Sequence, residues 1–257
     1  PDGVMGPELM GRMQQQAEKF GAKVEYKKVN EITRNEDGTF DLKTDSGMVQ
    51  SKTVIIATGA APRYLGLENE MTLVGHGVTS CATCDGAFYR DVPVAVVGGG
   101  DSACEEANFL TRFASKVYLI HRRDELRASK IMADRVLANE KVEPVWDSGI
   151  TEYLTDEEGE VRAVNLENLK TGGKSELEVK CVFVAIGHVP NSQFVGGLVD
   201  LDENGYVLQN PHSTSTKTPG LYAAGDVADH IYRQAITASG QGCAAAIEAE
   251  RYLADSE

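Results

Sequence analysis

The feature that most constrains this chain is a glycine-rich turn between a short apolar strand and a helix. The strand is predicted over residues 94–97 and the helix over about 102–113. The turn that joins them consists of Gly98, Gly99, Gly100, Asp101, Ser102 and Ala103. In this spacing the first glycine permits a tight turn, the third lets the backbone approach a pyrophosphate, and the alanine lets the helix pack closely on the sheet. Two glycine runs of similar spacing, 75–80 and 240–245, follow no predicted buried strand. The turn at 98–103 therefore predicts a dinucleotide site.

The segments after the turn complete one α/β unit. A strand over 116–120, a helix over 129–138 and an apolar strand over 181–186 are predicted. A strand-rich stretch lies between the last two, with turns at 156–159 and 171–173. This is a βαβ unit with an inserted β-meander, which is typical of a doubly wound nucleotide domain.

Patterns on both sides of this unit predict a second one. The elements expected in it are a helix over 8–20 with Leu9, Met13, Ala17 and Phe20 on one face, a strand over 23–29, a hairpin turn at 35–38, a buried strand over 53–57, a short strand before Gly225 and a helix over 231–253. We therefore predict an α/β protein with two Rossmann-like, three-layer nucleotide-binding domains. Residues 62–187 form the domain that is inserted between 1–61 and 188–257.

The residues at the end of the strand over 116–120 indicate which nucleotide binds. An NAD-binding domain usually carries an acid there, which accepts hydrogen bonds from the ribose 2′-hydroxyl. Here the strand is followed by basic side chains, namely His121, Arg122, Arg123 and Arg127. Guanidinium groups match a 2′-phosphate in charge and in geometry. A solvated basic patch is the alternative, but in a chain of net charge -14 a local basic cluster favours NADPH.

Cys81 and Cys84 form a CxxC motif that is followed by Asp85. A zinc site is disfavoured because the sequence has no second such pair and its five histidines are scattered. An inert buried pair remains an alternative, but thiolates form readily in this motif, which favours redox chemistry. Asp85 either moves the proton that thiol–disulfide exchange requires or caps a turn before Gly86.

A flavin normally stands between a nicotinamide and a disulfide, because the nicotinamide delivers a hydride. Two strand ends offer contacts for it, Thr58–Gly59 and Gly225–Asp226. Asp226 is expected to accept a hydrogen bond from a ribityl hydroxyl. The long helix after it is expected to direct its N-terminal dipole towards the phosphates or the flavin edge.

Composition excludes several classes of function. The chain has 25 Lys and Arg against 39 Asp and Glu, which argues against nucleic acid and against anionic membranes as partners. No apolar run approaches the roughly 18–20 residues that a membrane helix needs. With five cysteines, of which only two are close in sequence, and no signal peptide before the first strand, we expect a cytoplasmic protein.

Taken together, the motifs resemble those of the bacterial-type, low-molecular-weight thioredoxin reductases. The residues that carry the resemblance occur in the family's order over essentially the whole chain: Cys81 to Gly86 (CATCDG), Gly98 to Gly100, His121 to Asp124 (HRRD), Ala185 to His188 (AIGH), Ala223 to Val227 (AAGDV) and Ile231 to Ala235 (IYRQA).

The resemblance implies a homodimeric enzyme that uses NADPH and FAD to reduce thioredoxin. It implies that Cys84 lies against the flavin and forms the charge-transfer thiolate, that Cys81 attacks the thioredoxin disulfide, and that Asp85 is the acid/base. Arg122, Arg123 and Arg127 would hold the 2′-phosphate, and Ile186 and Gly187 would also contact cofactor. The residues implied to contact FAD are Asp226, Arg233, Gln234 and Ala235. The family also implies a rotation of the nucleotide domain, with hinges near 60–63 and 187–191.

Members of this family begin with a strand and a GxGxxG turn that cradle the ADP half of FAD, and the present sequence opens downstream of that segment. Two alternatives to a thioredoxin reductase stay open. One is a relative that reduces another disulfide partner, since surface and loops set the partner. The other is a non-catalytic NADPH-binding fragment, since the ADP cradle is missing. Because the pyrophosphate amides would be missing, we expect weak or no FAD binding by the polypeptide as written. Stoichiometric flavin absorbance after gel filtration would contradict this expectation.

Overall fold

The chain crosses twice between two structural units. The computed structural model describes residues 3–255. Residues 60–189 form one unit, here called the inserted unit, and residues 1–59 and 190–257 together form the flanking unit. The predicted boundaries, 61/62 and 187/188, each lie two residues from these divisions. The nucleotide that each unit binds stays a prediction.

The flanking unit begins with a helix that is followed by a three-stranded antiparallel meander. These elements are α1 (Gly6–Lys19), β1 (Val29–Arg34), β2 (Phe40–Thr44) and β3 (Gly47–Ser51). The predicted hairpin turn at 35–38 is confirmed. The amide of Gly38 donates to the carbonyl of Asn35 at 3.1 Å, and Gly38 has a φ of 86°, which suits glycine.

Two predictions for this region are wrong in part. The strand expected over 23–29 includes only Val29, because the backbone of 23–28 forms no ladder with another strand among residues 3–255. The apolar face expected on α1 is present in the sequence, but no residue of this helix is buried, and Phe20 is 82% exposed. Periodicity predicts the helix correctly, whereas its burial depends on other segments.

The strand expected over 53–57 is shorter and less buried than predicted. It is observed as β4 (Val54–Ile56), in which Ile56 is buried and Ile55 is 37% exposed. The reason is that β4 belongs to a ladder of only two strands, which leaves one side open.

The inserted unit contains the parallel sheet. Its elements are β5 (Ala60–Pro62), β6 (Val78–Thr79), α2 (Ala82–Asp85), β7 (Pro93–Val97), α3 (Asp101–Leu110), β8 (Lys116–Ile120), α4 (Lys130–Leu137), β9 (Val142–Val145), β10 (Ser148–Thr155), β11 (Val161–Asn168), β12 (Lys174–Glu178), β13 (Val182–Val184) and β14 (His188–Pro190). The sheet order is β6-β13-β7-β8-β9, and every pairing in it is parallel. β10, β11 and β12 form the predicted meander, and β5 pairs with β14.

Alternate residues of the central strand β7 enter two different cores. Val94 and Val96 pack with residues of α3, such as Leu110, on one face of the sheet. Ala95 and Val97 pack with residues of the meander, such as Val164, on the other face. All four residues of β7 named here are buried, as expected for the middle of a parallel sheet. The inserted unit therefore has three layers, helices, parallel sheet and meander.

The flanking unit is completed by β15 (Leu221–Ala223), which pairs in parallel with β4, and by the helix α5 (Ala235–Asp255). The prediction placed the start of this helix at residue 231. The structure starts it four residues later, because the Asp229 carboxylate accepts the amides of Ile231 and Tyr232, both at 2.9 Å, and Arg233 has a φ of 48°. None of the helices in residues 3–255 has the length and apolar character needed to cross a membrane.

One buried carboxylate organises the start of the inserted unit. Glu70 is 1% exposed. It accepts the amides of Leu65, Gly66 and Leu67 at 2.7–3.3 Å and the hydroxyl of Tyr153 at 2.7 Å. The segment 65–67 is thereby tied to β10.

We expect Glu70→Ala to lower the free energy of unfolding by about 3 kcal/mol or more, since it leaves buried donors without an acceptor. Tyr153→Phe removes a single donor and should cost about 1 kcal/mol. Chemical denaturation followed by circular dichroism measures both changes. Glu68→Ala, at an exposed glutamate nearby, is the control and should have little effect. Equal losses for Glu68→Ala and Glu70→Ala would contradict the assignment.

Candidate active site

Cys81 and Cys84 form a disulfide in the inserted unit. Cys81 is the N-cap residue of α2, and its Sγ accepts the amide of Cys84 at 3.2 Å. Cys84 is exposed and Cys81 is half-buried, so a second protein can reach the pair. No group of three or more metal-ligating side chains exists within residues 3–255. An amide directed at the sulfur of Cys81 favours the thiolate form when the disulfide opens.

Asp85 is held beside the dithiol by a side chain that sequence reasoning did not single out. The Thr79 hydroxyl donates to the Asp85 carboxylate, and Thr79 Oγ1 in turn accepts the amide of Cys81 at 3.2 Å. Asp85 also precedes a 3-10 helix, Gly86–Phe88, but its side chain makes no capping hydrogen bond there. The capping interpretation of Asp85 therefore finds no hydrogen bond in the structure, and its role as acid/base stays a prediction.

The other cysteines differ from this pair in their surroundings. Burial raises the pKa of the Cys104 thiol to about 11. Burial also raises the pKa of Cys181, which receives a hydrogen bond from Tyr89 and is fully buried. Cys243 is exposed on α5 in the flanking unit. Cys104 and Cys181 thus stay protonated and inert at neutral pH.

The glycine turn is shaped by close contacts at its first two residues. Gly98 has a φ of 155°, and a Cβ there would lie 2.5 Å from the carbonyl oxygen of Ala185 and 2.7 Å from Cβ of Ala103. A Cβ on Gly99 would lie 2.2 Å from Cε1 of His121. Gly100, the N-cap of α3, has open space where its Cβ would be. The turn thus leaves the amides at the start of α3 accessible to a phosphate.

A cavity of about 830 Å³ opens beside this turn, entirely within the inserted unit. It is lined by predicted residues, namely Gly98, Gly99, Gly100, Asp101, Ser102, His121, Arg122, Arg127, Ile186 and Gly187. Ala103 lies buried behind the turn, and Arg123 does not line the cavity. The lining also includes Arg63 and Leu65, for which the sequence offered no motif signal.

The electrostatics of the cavity favour an anion. Arg122, Arg123 and Arg127 are exposed, and none of them forms a salt bridge within the described range 3–255. The nearest acid in sequence, Asp124, pairs with Lys170 at 2.7 Å, and the hydrogen bond from Lys170 lowers the pKa of this aspartate. Burial, followed by the charge of Arg127, lowers the pKa of His121. The imidazole is therefore neutral at pH 7, and the arginines supply the positive charge.

The residues predicted to contact a flavin lie at two neighbouring strand ends of the flanking unit. Thr58 and Gly59 follow β4, and Gly225 and Asp226 follow β15, which pairs with β4 in parallel. The Thr58 hydroxyl donates to the carbonyl of Asn191 at 2.6 Å. The Oδ1 atom of Asp226 is buried and has no hydrogen-bond partner among the described residues. Burial raises the pKa of this carboxyl group. The buried oxygen without a partner indicates a site for a hydrogen-bonding ligand.

The segment that leads into α5 carries the remaining flavin candidates. Arg233 has a φ of 48°, and its amide donates to the Asp229 carboxylate at 3.4 Å. The side-chain amide of Gln234 donates to the carbonyl of Tyr232 at 3.3 Å, and Ala235 is the first residue of the helix. The structure therefore places these three residues consecutively at the amino end of α5.

Comparisons with known proteins agree with this geometry. A sequence model of the family described as pyridine nucleotide-disulphide oxidoreductase matches residues 5–242. The chain belongs to this family. A thioredoxin reductase of Mycolicibacterium smegmatis is 50% identical over 256 residues, which cover 100% of this chain and 81% of that protein. One from Streptomyces coelicolor is 49% identical, covering 98% of this chain and 78% of that protein.

Solved structures of the same family superpose closely. A thioredoxin reductase of Streptococcus pyogenes matches with a TM-score of 0.92 and 42% identity, covering 98% of this chain and 81% of that one. The thioredoxin reductase of Giardia duodenalis matches with a TM-score of 0.91 and 40% identity, covering 98% and 82%. The family uses a flavin and a nicotinamide nucleotide. The absence of a leading glycine-rich segment stays a prediction.

Two alanine substitutions separate packing from ligand access in the turn. Gly99→Ala forces Cβ against His121, so we expect the free energy of unfolding to fall by about 2 kcal/mol. Gly100→Ala meets open space, so stability should change by less than about 1 kcal/mol, while NADPH affinity falls because Cβ occupies the approach of the pyrophosphate. Thermal unfolding and calorimetric titration with NADPH measure the two effects. A Gly99→Ala protein as stable as the parent would refute the packing argument.

Proposed function

We propose that this protein is a thioredoxin reductase that passes two electrons from NADPH through FAD and the Cys81–Cys84 pair to thioredoxin. The observation that carries the proposal is an accessible disulfide, with a carboxyl group held beside it, in the same unit as a phosphate-binding turn lined by unpaired arginines. Two relatives named thioredoxin reductase, whose sequences are 50% and 49% identical to this chain, support the proposal.

The chain's own residues fit a flavin in the flanking unit. The buried Oδ1 of Asp226 lacks a hydrogen-bond partner among residues 3–255 and is suited to accept from a ribityl hydroxyl. Arg233, Gln234 and Ala235 lead into α5, so the amides at the start of that helix would face an anionic or electron-rich group. When bound, a flavin supplies the two-electron relay between a hydride donor and a disulfide.

The reduced cysteine pair performs the exchange with the protein substrate. The Cys81 thiolate attacks one sulfur of the thioredoxin disulfide, which forms a mixed disulfide and releases the other thioredoxin sulfur as a thiolate. Cys84 then loses its proton and attacks the Cys81 sulfur. This step restores the Cys81–Cys84 bond and frees thioredoxin as a dithiol. Two electrons leave the enzyme in each cycle.

Two backbone and side-chain contacts assist these steps. The amide of Cys84 donates to Cys81 Sγ and stabilises negative charge on the attacking sulfur. Asp85, fixed by Thr79, would exchange protons with the thiols.

Phe88, which follows the dithiol closely in sequence, is 81% exposed and offers an apolar contact to a docking protein.

The nucleotide preference and the assembly are further parts of the proposal. Arg122 and Arg127 line the cavity, and the residues directly after β8, 121–123, include no acid. Both observations support NADPH over NADH. A homodimer and a cytoplasmic location follow from the resemblance and from the composition. Gel filtration with light scattering tests the first, and fractionation of cells tests the second.

Replacing the attacking sulfur tests the proposed function. In flavin-loaded protein, Cys81→Ser should abolish NADPH-dependent reduction of thioredoxin, while NADPH still bleaches the flavin absorbance. The physical reason is that serine cannot form a mixed disulfide, whereas the nucleotide cavity is unchanged. Cys243→Ser, at an exposed cysteine outside the dithiol, is the matched control and should keep full activity. Full thioredoxin reduction by Cys81→Ser would overturn the assignment.

A further inference from the structure

Two of the loops that line the cavity are joined by four hydrogen bonds. The carbonyl of Gly99 accepts the amides of Arg127 at 2.7 Å and Ala128 at 3.1 Å. The Oδ1 atom of Asp101 accepts the amide of Ser129 at 2.8 Å and its hydroxyl at 2.9 Å. The glycine turn and the arginine segment, here defined as residues 121–129, are therefore held in one register.

The position of Asp101 is unfavourable for a residue that contacts phosphate. It is the first residue of α3, where the helix amides would receive a pyrophosphate, and a carboxylate facing that site would repel the ligand. In the structure its Oδ1 binds Ser129, the residue immediately before α4, whose own side chain makes no capping bond. The sequence motif groups Asp101 with the cofactor contacts, but its hydrogen bonds give it a different task.

The arginine segment is anchored at its start, in its middle by the ion pair of Asp124 with Lys170 at 2.7 Å, and at its far end. At its start, His121 exchanges backbone hydrogen bonds with Val145 and Ser148, and the carbonyl of Arg123 accepts the amide of Asp147. At its far end, the amides of Arg127 and Ala128 donate to the carbonyl of Gly99, and Ser129 donates to the carboxylate of Asp101. Without the carboxylate of Asp101, only the two bonds to Gly99 would still tie the far end to the glycine turn. Asp101 thus supplies half of the hydrogen bonds that hold the far end of the arginine segment on the turn.

We propose that Asp101 is a positioning residue that sets the preference for a nucleotide carrying a 2′-phosphate, by clamping Ser129 and thereby placing Arg127. The inference rests on the proposed use of NADPH. It assigns Asp101 no contact with the nucleotide itself. Discrimination between phosphorylated and unphosphorylated riboses therefore depends on Asp101, which α3 and β8 separate from the arginines in the sequence.

The test compares two probes that differ only in the 2′-phosphate, adenosine 2′,5′-bisphosphate and adenosine 5′-monophosphate. Calorimetric titration of the full chain with each probe gives an affinity ratio and needs neither flavin nor turnover. Asp101→Ala removes the acceptor and should lower the ratio about tenfold, the effect of losing two bonds to a charged acceptor at a positioning site. Ser129→Ala keeps the amide bond and should lower the ratio about threefold.

Asp101→Asn distinguishes the hydrogen bonds from Ser129 from the negative charge of the carboxylate. The asparagine oxygen can still accept both bonds from Ser129, so this variant should keep the parental ratio. If Asp101→Asn lowers the ratio as much as Asp101→Ala, or if neither Asp101→Ala nor Ser129→Ala changes it, the inference is overturned. If the parent protein binds the two probes equally, the proposed NADPH preference itself fails, which is a distinguishable result.

Discussion

The close approach of three strand ends at Gly98 and Gly99 is the constraint on which the inserted unit depends. A side chain at Gly98 would collide with the backbone of Ala185 after β13, and one at Gly99 would collide with the ring of His121 after β8. Because both positions are glycine, the carboxyl ends of β13, β7 and β8 converge at one edge of the sheet. Ligands of open parallel sheets bind at this edge, and here it opens into the arginine-lined cavity.

The same sheet supports the dithiol. β6 pairs in parallel with β13 and ends at Thr79, whose hydroxyl holds Asp85 and accepts the amide of Cys81. The segment after α2 packs on α3, and a Cβ on Gly86 would lie 2.8 Å from a methyl carbon of Leu110. The segment that follows the dithiol is thus packed on the helix that begins at the glycine turn. The glycine turn and the dithiol therefore share one support, the parallel sheet with α3, so a change in this core affects both.

The cavity beside the glycine turn is lined by basic side chains, although the chain as a whole is acidic. A protein of net charge -14 repels anions at long range, yet the nucleotide cavity presents arginines without salt bridges in the described residues. Two of the acids near them are occupied, Asp124 by Lys170 and Asp101 by Ser129. Occupying a carboxylate with a donor removes competition for the guanidinium groups. The charge that this cavity presents thus depends as much on where the acids are held as on where the arginines lie.

The sequence alone determined the elements whose patterns are local and the residues whose chemistry is inherent in their type. The strand 116–120, the hairpin turn at 35–38, the cysteine pair and the basic cluster after β8 follow from periodicity, turn residues and spacing. Tertiary structure alone decided the partners that are distant in sequence, such as Glu70 with Tyr153 and Asp101 with Ser129. It also decided that 23–28 forms no strand and that the apolar face of α1 stays exposed. Periodicity records a residue's preference for a conformation, whereas burial and hydrogen-bond partners depend on which segments the fold brings together.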